Sequence, residues 1–260
     1  MAYAPFDLSG KTVLVTGGNG GIGLGMADAI AAAGADIAIW GTNGDKNAKA
    51  AAELARHGRK VTHQVVDVSS KAAVTAAVRD TLAAHGRIDS VFANAGIGST
   101  APSFVDISEE QYRRVLSVNE DGVFFTLQET VRAMVERAKK GEPGGSVVVV
   151  ASLAGIEGAA RNQHYAATKG AVISMMKGVA VEYARYGIRA NAILPGWIAT
   201  DMTAMAQAAP QFAEKVIPRV PMRRWGQPAD FGGIAVYLAS DASAFHTGDT
   251  FVIDGGYAVF

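Results

Sequence analysis

The sequence predicts an α/β protein: a parallel sheet wound on both faces by helices. Two observations predict it. Short apolar, β-rich runs alternate with helical patterns along the whole chain, as parallel strands joined by crossover helices require. Many of the 30 glycines fall just after those runs, where a strand must turn tightly into a helix. No linker, repeat or composition break interrupts the alternation, so residues 1–260 read as one domain.

Lys11 to Thr16 is the first strand, Gly17 to Gly23 a glycine turn, and Leu24 to Ala33 the first helix. Strand, glycine turn and helix in that order make a nucleotide site: glycines let a pyrophosphate approach the backbone, and the helix N-terminus offers free N–H groups. Asp36 to Trp40 is the second strand and runs into Gly41-Thr42-Asn43. A ribose-binding carboxylate is expected there, or an arginine for a 2′-phosphate, and neither is present. Thr42 and Asn43 can hydrogen-bond a ribose or a phosphate; ordinary turn chemistry accounts for them equally well.

Lys46 to His57 is a helix stopped by Gly58, and Val61 to Val66 a strand ending at Asp67-Val68. Ser70 to His85 is a helix closed by Gly86, and Ser90 to Ala93 a strand leading into Asn94-Ala95-Gly96. Ser108-Glu109-Glu110-Gln111 resembles a capping box and opens a long helix to about Arg137, with Asn119 inside it. Val147 to Ala151 reads as a buried strand closed by Ser152, and Arg189 to Leu194 as another, ended by Pro195-Gly196. Residues 197–225 are rich in methionine, alanine and proline with a weak helical pattern. They suit a mobile lid over an apolar pocket, and an ordinary helical excursion equally. A helix through Leu238 and a strand from Gly248 to Asp254 complete the chain.

Lys plus Arg and Asp plus Glu each number 24, with no block of like charge, which argues against a nucleic-acid or anionic-membrane partner. The absence of cysteine excludes disulfides, a thiol nucleophile and a cysteine-based metal site, and no metal ligand set is expected. The start lacks a basic region followed by an apolar run, and no apolar stretch is long enough to span a bilayer, so a cytoplasmic protein is expected.

The stretch Ser152 to Lys169 concentrates the chemistry. Tyr165 and Lys169 are four apart, so on a helix they share one face. A phenol beside an ammonium has its ionised form favoured, which lowers its pKa and makes it a usable acid/base. Ser152, at a strand's carboxyl end, lies where open α/β sheets bind ligands. The same spacing also occurs as an amphipathic surface pair, and His164 reads as a packing residue facing another side of the helix or, second, as a lining residue of the substrate pocket.

Taken together these residues resemble the classical short-chain dehydrogenase/reductase family over essentially the whole chain. Thr16 to Gly23 is similar to its TGxxxGIG cofactor motif, Asn94-Ala95-Gly96 to its NAG motif, and Asp67 to its adenine-contacting aspartate. Asn119, Ser152, Tyr165 and Lys169 match its catalytic tetrad in order and approximate spacing. The resemblance implies a doubly wound Rossmann fold with a seven-stranded parallel sheet, usually in a homotetramer whose main interface uses the helices of Asn119 and Tyr165. It implies a dinucleotide held by Gly17, Asn19, Gly21, Ile22, Gly23, Thr42, Asn43, Asp67, Val68, Asn94, Ala95, Gly96, Tyr165, Lys169, Pro195, Gly196, Ile198 and Thr200. The missing carboxylate at Gly41-Thr42 favours NADP over NAD, although Gly20 stands where many NADP-dependent members carry a basic residue.

The implied reaction is hydride transfer between nicotinamide and a carbonyl carbon, with Tyr165 as acid/base, Ser152 holding the carbonyl oxygen, Lys169 assisting Tyr165, and Asn119 fixing a relay water. Met202, Met205, Phe212 and Val216, with Trp197, suggest an apolar or aromatic ketone or secondary alcohol as the small-molecule partner. A 3-oxoacyl thioester reductase and a sugar or polyol dehydrogenase are alternatives within the class, because fold does not set substrate. A non-catalytic dinucleotide-binding regulator would show a damaged tetrad.

Overall fold

The structure, a computed structural model, describes residues 3–260. Seven strands form one parallel sheet: β1 (Thr12–Thr16), β2 (Asp36–Gly41), β3 (Val61–Val65), β4 (Ser90–Ala93), β5 (Gly145–Val150), β6 (Ile188–Pro195) and β7 (Thr250–Ile253). Their order is β3-β2-β1-β4-β5-β6-β7. The order reverses between β1 and β4, which opens a crevice beyond their carboxyl ends.

Among the described residues ten α-helices accompany the sheet: α1 (Gly21–Ala32), α2 (Gly44–Leu54), α3 (Lys71–His85), α4 (Glu109–Leu116), α5 (Gly122–Lys139), α6 (Ala154–Glu157), α7 (Gln163–Tyr183), α8 (Ala204–Gln207), α9 (Pro210–Val216) and α10 (Gly232–Ala239). Side chains alternate across a strand, so each central strand feeds two cores. Leu14, Val147 and Val149 face one core with Val74, Val123, Leu127 and Val172 of α3, α5 and α7. Val13, Val15, Val148 and Val150 face the other, with Met26, Ile30, Leu54 and Leu238 of α1, α2 and α10. Burial on both sides explains why these strands read as unbroken apolar runs.

Two helices differ from the sequence expectation. Helix α1 begins at Gly21, three residues early, because glycine hides the helical pattern of its first turn. The helix expected from Ser108 to Arg137 is split into α4 and α5 by a π turn, Ser117–Asp121. The wider turn accommodates a completely buried Asn119. Residues 197–225 form only short pieces, α8 and α9 among 3-10 turns. Their neck is closed by a parallel bridge between Ile198 and Gly226. Among the described residues no helix is long and apolar enough to cross a membrane.

Candidate active site

The glycine loop, Asn94 to Gly96 and Ser152 follow β1, β4 and β5, and Pro195-Gly196 ends β6, so all line one edge of the sheet. Gly17 and Gly21 take φ of +64° and +50°, in the left-handed region that favours glycine. A Cβ on Gly23 would collide with the Gly17 carbonyl oxygen, so that position admits glycine alone. The N-terminus of α1 has no side-chain cap. Its first amides are therefore available to an anion.

Asn94 clamps this loop to β4: its Nδ2 donates to Thr16 O at 3.0 Å and Gly17 O at 3.2 Å, and its backbone N–H donates to Thr16 Oγ1. Asn19 reaches across to α2, where its Nδ2 donates to Asn47 Oδ1 at 2.7 Å. Buried Asn47 in turn donates to Gly41 O and Gln64 O. Gly41 lies beneath these amides, and a Cβ there would strike Asn19 Nδ2. Any side chain here, a ribose-binding carboxylate included, would have to displace the Asn19 and Asn47 amides. Asn43 uses its oxygen to cap α2, accepting from Lys46 N at 2.9 Å. Asp67 turns its own loop by accepting from Ser69 N and Ser69 Oγ.

The four tetrad residues meet between β4, β5 and α7. Asn119 Oδ1 accepts from Ile97 N at 2.8 Å, and its Nδ2 donates to Ile97 O at 2.9 Å. A Cβ on Gly96 would lie 3.2 Å from Asn119 Oδ1 and 3.5 Å from Lys169 Nζ, so both side chains converge behind that glycine. Lys169 is buried and donates from Nζ to Val150 O at 2.8 Å. The same ammonium lies 5.6 Å from the centre of the Tyr165 ring. Ser152 Oγ accepts from Ala154 N at 3.2 Å.

The electrostatics differ from the sequence expectation. Burial pushes the Tyr165 phenol above its ordinary value, and the neighbouring Ser152 hydroxyl pulls the other way through a hydrogen bond. It is Lys169 that falls, pushed down to about 8 by burial. Burial is the largest cause of both shifts.

Trp197 packs on Phe212 at 4.9 Å between ring centres and on Trp225 at 6.1 Å. Met202 lies over Gly98, Val216 is buried, and Met205 is 89% exposed. His164 is buried with neither ring nitrogen hydrogen-bonded, and it borders a cavity of about 560 Å³ shared with Phe104, Ile107 and Tyr112 of the α4 side. Sequence reasoning missed two residues. Asn47 was hidden as one polar residue in an alanine-rich helix. Arg161 takes a left-handed φ of 66° and joins the α7 entrance to the loop after β4, bonding Ala101 both ways. Nothing in the sequence marks it.

A protein-family model described as enoyl-(acyl carrier protein) reductase matches residues 17–258. A short-chain type dehydrogenase/reductase from Mycobacterium marinum superposes with a TM-score of 0.92 at 35% identity, covering 98% of each chain. The chain belongs to the short-chain dehydrogenase/reductase family. It is an NAD(P)-dependent oxidoreductase of CH–OH groups, interconverting a ketone and a secondary alcohol by hydride transfer. The 2,5-dichloro-2,5-cyclohexadiene-1,4-diol dehydrogenase of Sphingobium indicum is 34% identical over 252 residues, 96% of this chain and 98% of its own. A gluconate 5-dehydrogenase from Burkholderia cenocepacia, solved with NADP and tartrate, is 36% identical with a TM-score of 0.92, covering 99% of this chain and all of its own. Two substrate classes at nearly equal identity leave the substrate to the pocket. The residues present fit the family's dinucleotide: a cradle that a Cβ would fill, an uncapped helix N-terminus, and two amides roofing the adenosine-side turn.

Proposed function

We propose that Tyr165 is the acid/base of this reductase/dehydrogenase, acting with Ser152, Lys169 and Asn119. The convergence of Asn119 and Lys169 behind Gly96, with the Lys169 ammonium on Val150 O and under the Tyr165 ring and Ser152 bonded to Tyr165, carries the reading. Nicotinamide, when bound, supplies or takes the hydride. The Tyr165 hydroxyl gives its proton to the carbonyl oxygen in reduction and recovers it in oxidation. Ser152 donates to the same oxygen and holds the charge that develops there. Lys169 stays protonated at neutral pH and stabilises the tyrosinate. Asn119 keeps a second acceptor site on Oδ1 for a relay water while its two bonds to Ile97 fix the loop. Replacing Tyr165 with Phe abolishes turnover while NAD(P)H still quenches protein fluorescence; retained activity would remove Tyr165 from the mechanism.

The cofactor preference is NADP. Gly41 supplies no carboxylate to repel a 2′-phosphate, and a structural neighbour carries NADP. Higher kcat/KM with NADH than with NADPH would reverse this. The substrate is an apolar or aromatic ketone or secondary alcohol, supported by Trp197, Phe212 and Met202 around the cleft. Residues 197–225 act as its lid, hinged at the Ile198–Gly226 bridge of an otherwise single domain. A carrier-protein thioester reductase would need a basic mouth. Two arginines at the end of the lid are already engaged: Arg224 pairs with Asp230 and Arg219 lies over the Tyr257 ring. A panel of ketones, keto acids and sugar acids decides among the classes. A cytoplasmic homotetramer completes the reading, supported by exposed Phe124 and Val181 on α5 and α7; light scattering tests it.

A further inference from the structure

The chain that leaves β6 crosses the dinucleotide cleft, and one ion pair ties it down. Residues 200–202 reach the segments that leave β2, β1 and β4, three strands that lie side by side. Asp201 Oδ2 accepts from Lys46 Nζ at 2.8 Å, and Lys46 stands in the first turn of α2, after β2. The Thr200 side chain lies 3.2 Å from the point a Cβ on Gly21 would occupy, after β1. The Met202 side chain lies 3.4 Å from the same point on Gly98, after β4. The sheet order reverses between β1 and β4, so a dinucleotide running from the end of β2 toward Ser152 passes beneath this crossing.

The crossing is a stiff piece. Thr203 Oγ1 donates to Ile198 O at 2.6 Å, and Gln207 Nε2 donates to Thr200 O at 3.1 Å and Thr203 Oγ1 at 2.9 Å. The groups it brings nearest to Gly21 and Gly98 are the Thr200 methyl and the Met202 side chain, which make no directional bond there. The Lys46–Asp201 pair is charged, and its side chains are 59% and 92% exposed. Such a pair is weak and screened by salt. Those are the properties a fastening needs if it must open in every turnover.

We propose that the Lys46–Asp201 pair is a latch: it holds this crossing over the bound dinucleotide, and its opening is a step in cofactor release. The proposal rests on the dinucleotide reading of the cleft. Lys46 and Asp201 are positioning residues and touch no reacting atom.

The test measures the release of NADPH from the full chain by stopped-flow fluorescence, in the unaltered protein, Lys46→Met, Asp201→Asn, and the reversed pair Lys46→Asp with Asp201→Lys. Each single variant is expected to release NADPH about two- to fivefold faster at low salt. Salt at about 0.3 M is expected to speed release in the unaltered protein and do little in the single variants. The reversed pair is expected to bring the rate back to within roughly twofold of the unaltered protein. Equal rates in all four proteins would overturn the latch. A faster rate in Lys46→Met alone, or one the reversed pair does not restore, would also overturn it, because Lys46 would then act on the cofactor directly. Failure of every protein, the unaltered one included, to bind NADPH would instead overturn the dinucleotide reading itself.

Discussion

Replacing Lys169 with Met separates stability from chemistry at the buried ammonium. The fall of its pKa from 10.5 to about 8 comes from burial. At ~1.4 kcal/mol per tenfold change in proton affinity, it corresponds to roughly 3 kcal/mol held against the folded apo protein at neutral pH. The bond from Nζ to Val150 O at 2.8 Å returns about 1.5–3 kcal/mol, as expected of a charged donor. Methionine fills the same space without charge and gives up that bond. The variant should therefore be between equal to and ~1.5 kcal/mol more stable at pH 7, a rise in Tm of up to a few degrees. The sign with pH is definite. The folded amine has the lower pKa, so between about 8 and 10.5 the unfolded chain binds more protons, and stability of the unaltered protein rises with pH across that window. The variant lacks this contribution, so its relative advantage is greatest below pH 8 and vanishes above 10.5. Urea denaturation of both apo proteins at a series of pH values measures it, and turnover should fall about 10²- to 10⁴-fold. A loss of more than ~2 kcal/mol at pH 7 would refute the argument, because the ammonium would then be a net stabiliser of the fold.

Gly41→Asp should fail to convert the enzyme to NAD. The new Cβ strikes the Asn19 amide, so a loss of about 1–3 kcal/mol and weaker binding of both cofactors are expected by thermal melting and fluorescence titration. Burial holds the His164 pKa below its ordinary 6.5, and neither ring nitrogen has a partner, so acid must place an unpaired cation there. Stability should fall as pH drops below 6.5; His164→Phe should flatten that limb, leaving the share due to His85, whose pKa burial also lowers. Asn119→Leu should lose both bonds to Ile97 and, with them, kcat more than cofactor affinity, read from the split between kcat and KM.

The sheet was legible because its strands are buried on both faces and its turns are marked by glycine: Gly86 closes the helix before β4, Gly187 the one before β6, and Val147 to Val150 is an unbroken apolar run after the turn at residues 139–145. The tetrad was legible as a pattern of residue types at helical spacing. Its electrostatics were not, because the depth of Tyr165 and Lys169 depends on neighbours from β4, β5 and α4. Lys46 and Asp201 are 155 residues apart and unremarkable singly, so only the folded chain pairs them. The π turn was hidden because the residues on both sides of Asn119 keep an ordinary helical rhythm.

That turn makes a change of chain length local. Each residue added to or taken from a regular α-helix rotates everything beyond it by about 100°. A π turn takes up one extra residue within itself, so deleting a residue between Ser117 and Asp121 would close the helix and leave Val123, Leu127, Val131 and Met134 facing the interior. The surplus residue thus serves the amide of Asn119, and α5 would pack as well without it.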